Sequence, residues 1–216
     1  MHRRRTALAL SAALAAAPLL TACGGSAHAG AAAVVGGQRI SVAQLESRVN
    51  EVRAAQRAAA TDDAQYRQTV AQTSSLTRDT LHTMVLDRVL NRAAKEVGVS
   101  VDRSDVEQMR ASLERQAGGS KALQSAWLQQ YGVAPRRLDD SLRTEVRAQK
   151  LASALGVDMN TTDGKAAFWT AMAEASKELD IKLNPRYGTW DVQKSSRVDA
   201  RTPWVKEVTA AAGQPA

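Results

Sequence analysis

Aromatic residues, cysteine and histidine are scarce in this 216-residue chain, which holds four Trp, three Tyr, one Phe, one Cys and three His. A single cysteine cannot close an internal disulfide, so cross-linking plays no part in the fold. His82 has no histidine partner within a folded region, because His2 and His28 lie near the N-terminus, and a histidine-based metal site or catalytic triad is excluded. The glycine pairs Gly36-Gly37 and Gly118-Gly119 lack the Gly-x-Gly-x-x-Gly and Gly-Lys-Ser/Thr contexts of phosphate loops and are read as turns. Asp62-Asp63 and Asp139-Asp140 are adjacent pairs, and adjacent side chains on a helix diverge, so neither is read as a catalytic pair. No catalytic residue, metal site or cofactor is expected, and the chain is read as a non-enzyme.

Long apolar runs are also missing. The longest, Ala7 to Leu20, falls short of the roughly 20 residues that span a bilayer. It follows Arg3-Arg4-Arg5 and ends in Leu20-Thr21-Ala22-Cys23, the order of a secretory signal: a charged start, an apolar stretch, then small residues. Leu-Thr-Ala-Cys resembles the lipobox of bacterial lipoproteins. That resemblance implies cleavage after Ala22 and a diacylglycerol thioether on Cys23, against the alternative of an ordinary secreted protein with one stray thiol. Residues 1–22 are therefore expected to be a signal peptide and residues 23–32 a Gly/Ala/Ser tether behind a lipidated cysteine. Loss of the signal leaves 26 basic against 22 acidic residues, a formal +4 in place of +7, which weakens any case for nucleic acid as a partner.

Past the tether, Ala33 to Ile40 is two apolar runs around Gly36-Gly37 and reads as a β-hairpin. Ser41 and Gln44 have capping-box spacing, and Val42, Leu45, Val49 and Val52 form the stripe of a first helix that ends or bends at Thr61-Asp62-Asp63. A second helix, from about Arg78 to Val97, is apolar over a wide arc and is expected to be the most buried. Asp102 and Asp105 open a third, stopped at Gly118-Gly119; Ser120 is expected to cap a fourth, which carries Trp127 and Tyr131 to Gly132. Pro135 sits in the first turn of a fifth helix ending at Gly156, and a sixth runs from Thr162 or Asp163 to Leu179, presenting Phe168, Trp169 and Met172. Ile181-Lys182-Leu183 then alternates like a strand before the turn residues of Asn184-Pro185 and Gly188.

Three of these blocks together resemble the N-terminal lobe of the SurA and PrsA extracytoplasmic chaperones. They are VVGGQRISVAQLESRV (34 to 49), LDRVLNRAAKEVGVSVDRSDVEQM (86 to 109) and the segment NPRYGTWD (184 to 191). Gly36 stands where that family often has Asn. The resemblance implies that the chain after the last helix returns to the hairpin, so that Ile181 to Leu183 pairs near Val34 and Ile40. Tyr187 and Trp190 would cover apolar surface there with their polar tips toward solvent; the alternative is an exposed aromatic binding loop. The expected architecture is thus mainly α, a bundle of about five or six helices with a small β-hairpin at the start paired with a short C-terminal strand. The lobe is placed at residues 33–191 and a tail at 192–216, in which Trp204, Val205 and Val208 follow Pro203. Such chaperones carry parvulin-type isomerase domains, which need on the order of 90 residues. About six residues separate Gly156 from Thr162, so that catalyst is expected to be missing.

The function so implied is that of a chaperone lobe anchored by lipid to the extracytoplasmic face of a bacterial membrane, binding unfolded or newly exported polypeptides. The alternative is an envelope adaptor that holds one folded partner. Met84, Met109, Trp127, Tyr131 and Met172 are the candidate client-binding residues, since flexible thioethers pack against varied partners, although at helical spacing they also suit a core. Arg136, Arg143, Arg147 and Lys150 can share one helix face. Asp139, four before Arg143, favours a salt-laced solvated face over a lipid-binding stripe.

Overall fold

The computed structural model describes residues 30–199. The signal segment, Cys23 and the Trp204-Val205-Val208 segment lie outside the described residues. Strands β1 (Ala31–Val35) and β2 (Gln38–Ser41) form the expected hairpin, with Val35 opposite Gln38. Gly36 and Gly37 turn it at φ 57° and 74°, the positive values that a two-residue hairpin turn demands. Ala31 and Ala32 are fully buried in β1, so the ordered lobe begins inside the stretch assigned to the tether.

Ser41 closes the capping box of α1 (Val42–Ala59): its Oγ accepts from the Gln44 amide at 3.0 Å, and its own amide donates to Gln44 Oε1 at 2.8 Å. α2 (Asp63–Gln72) is an addition to the expected bundle. It has an Asp62 cap but no buried residue, so no apolar stripe announces it. α3 (Leu76–Glu96) starts two residues before the expected Arg78, because Leu76 is itself a core residue. α4 (Arg103–Ala117) and α5 (Ser120–Tyr131) follow, and Ser120 is the first residue of α5 rather than its cap, which is Gly119. Pro135–Arg137 makes a 3-10 turn into α6 (Leu138–Ala154), and α7 (Thr162–Glu178) completes seven helices among the described residues. Residues 155–161 join α6 to α7, too short a connection to hold another domain.

After α7 the chain returns to the hairpin as the resemblance implies. β3 (Lys182–Leu183) pairs antiparallel with β1, Ala33 opposite Leu183, in a sheet of order β2-β1-β3. Asn184 locks the return: its amide donates to Ala32 O at 2.9 Å and its Nδ2 to Ala31 O at 3.1 Å. β4 (Thr189–Asp191) and β5 (Ser196–Val198) form a second, two-stranded sheet, so ordered structure extends into the segment assigned to the tail. Tyr187 is buried against the sheet, but the indole tip of Trp190 does not face solvent. Its Nε1 donates to the buried Ser176 hydroxyl at 2.6 Å.

α3 organises the interior. Its Leu81 and Val85 pack with Ile40, Leu45, Leu183 and Tyr187 under the sheet, while Val89, Leu90 and Ala93 meet Leu151, Phe168 and Met172 from α6 and α7. Leu76 joins Val52, Leu128 and Ala134 in a third cluster. Of the residues that α7 presents, Phe168 and Met172 are buried and Trp169 is 43% exposed.

Candidate functional site

A groove of about 830 Å³ opens between α1 and α3 on one side and the 131–134 loop and the first half of α6 on the other. Its floor is apolar: Ile40, Val52 and Leu76 are buried and Met84 half-buried. The loop exists because Gly132 adopts φ 62° and ends α5 in the left-handed region, a conformation costly for other L-residues. That stop leaves Tyr131 at the mouth, 57% exposed, and drops Ala134 into the cluster with Leu76. Trp127 supports the wall from behind, its ring centroid 5.0 Å from that of Tyr131 and its Nε1 donating to Ser141 Oγ at 3.2 Å.

Charged groups frame this floor. Arg137 donates to both carboxylate oxygens of Glu51, at 2.8 and 3.1 Å, and also to Asp140 at 3.1 Å, so it ties α1 to the start of α6. The Arg137 hydrogen bonds hold the Glu51 carboxyl below its ordinary range, more than offsetting the opposing effect of burial. Arg137 in turn is pushed up from the ordinary arginine value, chiefly by Glu51. Asp87 accepts from Thr144 Oγ1 at 2.7 Å and from Arg147 at 2.9 Å, which joins α3 to α6. Arg88 reaches over the hairpin, donating to the carbonyls of Gln38 and Arg39 at 2.8 and 3.3 Å. Burial lowers its pKa, Asp87 opposes this and the neighbouring Arg48 adds to it.

Of the five candidate client-binding residues, the fold brings Met84 and Tyr131 to the groove. Met109 and Trp127 are half-buried against the cluster of Val106, Leu123, Leu138 and Leu142 formed by α4, α5 and α6. Met172 is 2% exposed between Phe168 and Leu151, a core residue with no face to offer a client. The basic stripe of α6 is dispersed among separate partners: Arg136 lies 3.6 Å from Glu51, Arg147 pairs with Asp87 and Lys150 with Asp105. Asp139 pairs across to Arg110 at 2.7 Å instead of along the helix to Arg143. Asp62 caps α2, and Asp63 pairs with Arg57. His82 is half-buried with its ring centroid 5.7 Å from that of Trp190, and its Nδ1 accepts from the Arg197 amide at 3.4 Å. Burial, followed by the charge of Arg197, lowers its pKa against the opposing pull of Asp79.

Sequence reasoning missed Arg48, Val52, Leu76 and residues 132–134 as groove residues. The α1 stripe marked Val52 as apolar, but nothing local tells a groove floor from a closed core. Among the described residues no cluster of His, Cys, Asp or Glu has the composition to hold a metal ion, and no helix is long and apolar enough to cross a membrane. A family model described as a SurA-like N-terminal domain matches residues 3–152. No curated protein and no solved structure matches the chain.

Proposed function

Because the chain belongs to the family of SurA-like N-terminal domains, matched over more than half of its length, we propose that it binds unfolded or newly exported polypeptides at the extracytoplasmic face of a membrane. The family is of a chaperone type and non-catalytic, typically found outside the cytoplasm. Cys23, behind the apolar segment and at the end of Leu-Thr-Ala-Cys, would carry the lipid anchor. More than one acyl chain would make that attachment stable, at about 0.8 kcal/mol per buried methylene.

The observation that carries the reading is the groove itself. A floor in which Met84 is half-buried and Val52 and Leu76 keep a small exposed face, under a charged rim, suits an extended chain, whose side chains find apolar contact below and water or charge above. Tyr131 at the mouth offers an amphipathic ring to varied partners.

The test is light scattering of two unrelated denatured proteins diluted with and without stoichiometric amounts of the chain from Gly24 onward, which keeps every described residue. Suppression of both aggregations is expected, and Met84→Gln should weaken it while leaving the melting curve cooperative. Failure to suppress either, together with retention of a single folded partner in a pull-down, would replace the chaperone with an adaptor.

A further inference from the structure

The groove holds unpaired charges of both signs, and they differ in burial: the carboxylates are exposed and the guanidinium groups half-buried. Asp87 is held by Arg147 and Thr144, and Asp140 by Arg137. Asp79, which accepts from Ser75, and Glu145, which accepts from Gln149, are exposed and solvated by water. The cations differ. Arg48 on the α1 wall and Arg143 on the α6 wall are half-buried, yet neither pairs with a carboxylate nor donates a hydrogen bond among the described residues. Arg88, also half-buried, spends its guanidinium on two backbone carbonyls, which bind its hydrogens without cancelling its charge. Burial and the nearby Arg48 both oppose the charge of Arg88, and Asp87 offsets part of this. A half-buried cation without an ion pair in direct contact is only partly compensated by carboxylates further off, and a carboxylate brought into the groove completes the compensation.

We propose that the groove formed by α1, α3, the 131–134 loop and α6 selects polypeptide segments in which acidic side chains flank apolar ones, the carboxylates engaging Arg48, Arg88 and Arg143. This rests on the client-binding reading above and specifies which clients the site prefers. The chemistry favours a polypeptide over an anionic membrane surface. The three arginines line a concave site above Ile40, Val52 and Met84, and an extended segment meets cations and floor together where a flat bilayer would not. A basic segment would meet three half-buried like charges and find unpaired carboxylates only at the exposed Asp79 and Glu145, so discrimination comes from repulsion as well as attraction.

Two labelled peptides of equal length and identical apolar residues, one with Glu and the other with Lys at its polar positions, are titrated by fluorescence anisotropy against the chain from Gly24 onward. The acidic peptide is expected to bind about tenfold tighter at low ionic strength, with the ratio shrinking as salt is raised. Arg48→Gln combined with Arg143→Gln should bring the two affinities within about threefold by weakening the acidic peptide, while far-UV circular dichroism and melting stay unchanged. Equal affinities in the unaltered protein would overturn the selectivity and leave client binding standing. Binding of neither peptide, alongside failure of the scattering assay, would overturn the client reading itself. Acidic-peptide binding seen only after removal of residues 200–216 would make the chain's own tail the occupant. Self-association abolished by the double substitution would make the occupant a second copy, and binding to phosphatidylglycerol vesicles that depends on the same two arginines would make it a lipid surface; each of these overturns the proposal.

Discussion

Glu51 leaves only 7% of its side chain exposed and accepts two hydrogen bonds from Arg137, which lies 86 residues further along the chain. Replacing it as Glu51→Gln removes the charge and leaves the half-buried guanidinium of Arg137 imperfectly matched, a loss of about 1–2 kcal/mol at neutral pH, read from urea unfolding. The acid dependence follows from the same contact. The carboxyl is held below its ordinary value of 4.5 in the folded protein, so its contribution is fully present above that value and is lost as pH falls through the lowered folded one. The Glu51→Gln protein should therefore lose less stability than the unaltered one between about pH 5 and pH 2. Sequence patterning reached the residues whose partners are three or four positions away, such as Ser41 with Gln44 and Asp102 with Asp105, where the Asp102 amide donates at 2.8 Å. It could not reach Glu51 with Arg137 or Asp139 with Arg110, because no local period links them.

Elements that bury a face were legible, and those that do not were missed. α3 and α6 carry stripes of buried Leu and Val at helical spacing, whereas α2 buries nothing and β5 is three residues long beside a turn. The return strand β3 is two residues long, too short to hold its place by ladder hydrogen bonds alone, so side chains just beyond it must fasten it. Trp190 is one such fastening. Its indole N–H reaches the fully buried Ser176 hydroxyl on α7, and its ring lies over His82 on α3. Trp190→Phe is expected to cost about 1–3 kcal/mol, since it removes the donor and leaves the serine oxygen unpaired. Combining it with Ser176→Ala should cost less than the sum of the two single changes by about 1 kcal/mol, measured by thermal or urea unfolding in a double-mutant cycle.

At the scale of the whole molecule, helix existence and order follow from apolar spacing and glycine stops, while the groove does not. Its walls come from α1, α3, α6 and a loop at 131–134, and they meet because α3 is packed from several sides. Such a concavity is a property of tertiary packing, so Met84 and Met172, alike as residues in apolar helix faces, end in opposite roles as groove floor and core. The proposed lipid anchor belongs to this scale as well. Cys23→Ser is expected to block lipid attachment and to shift the chain out of the form extractable only with detergent, as read by phase partition of cell fractions. β1 enters the fold directly after Gly30 and lies between β2 and β3, opposite Gln38 to Ser41 on one side and Lys182 to Leu183 on the other. Antiparallel ladder bonds run across the strand, so a pull applied from the N-terminal side loads both ladders in shear and shares the force among their bonds. A lobe tethered at that end would resist extraction while a client is tugged from its groove, a mechanical grip built from three alanines and two valines.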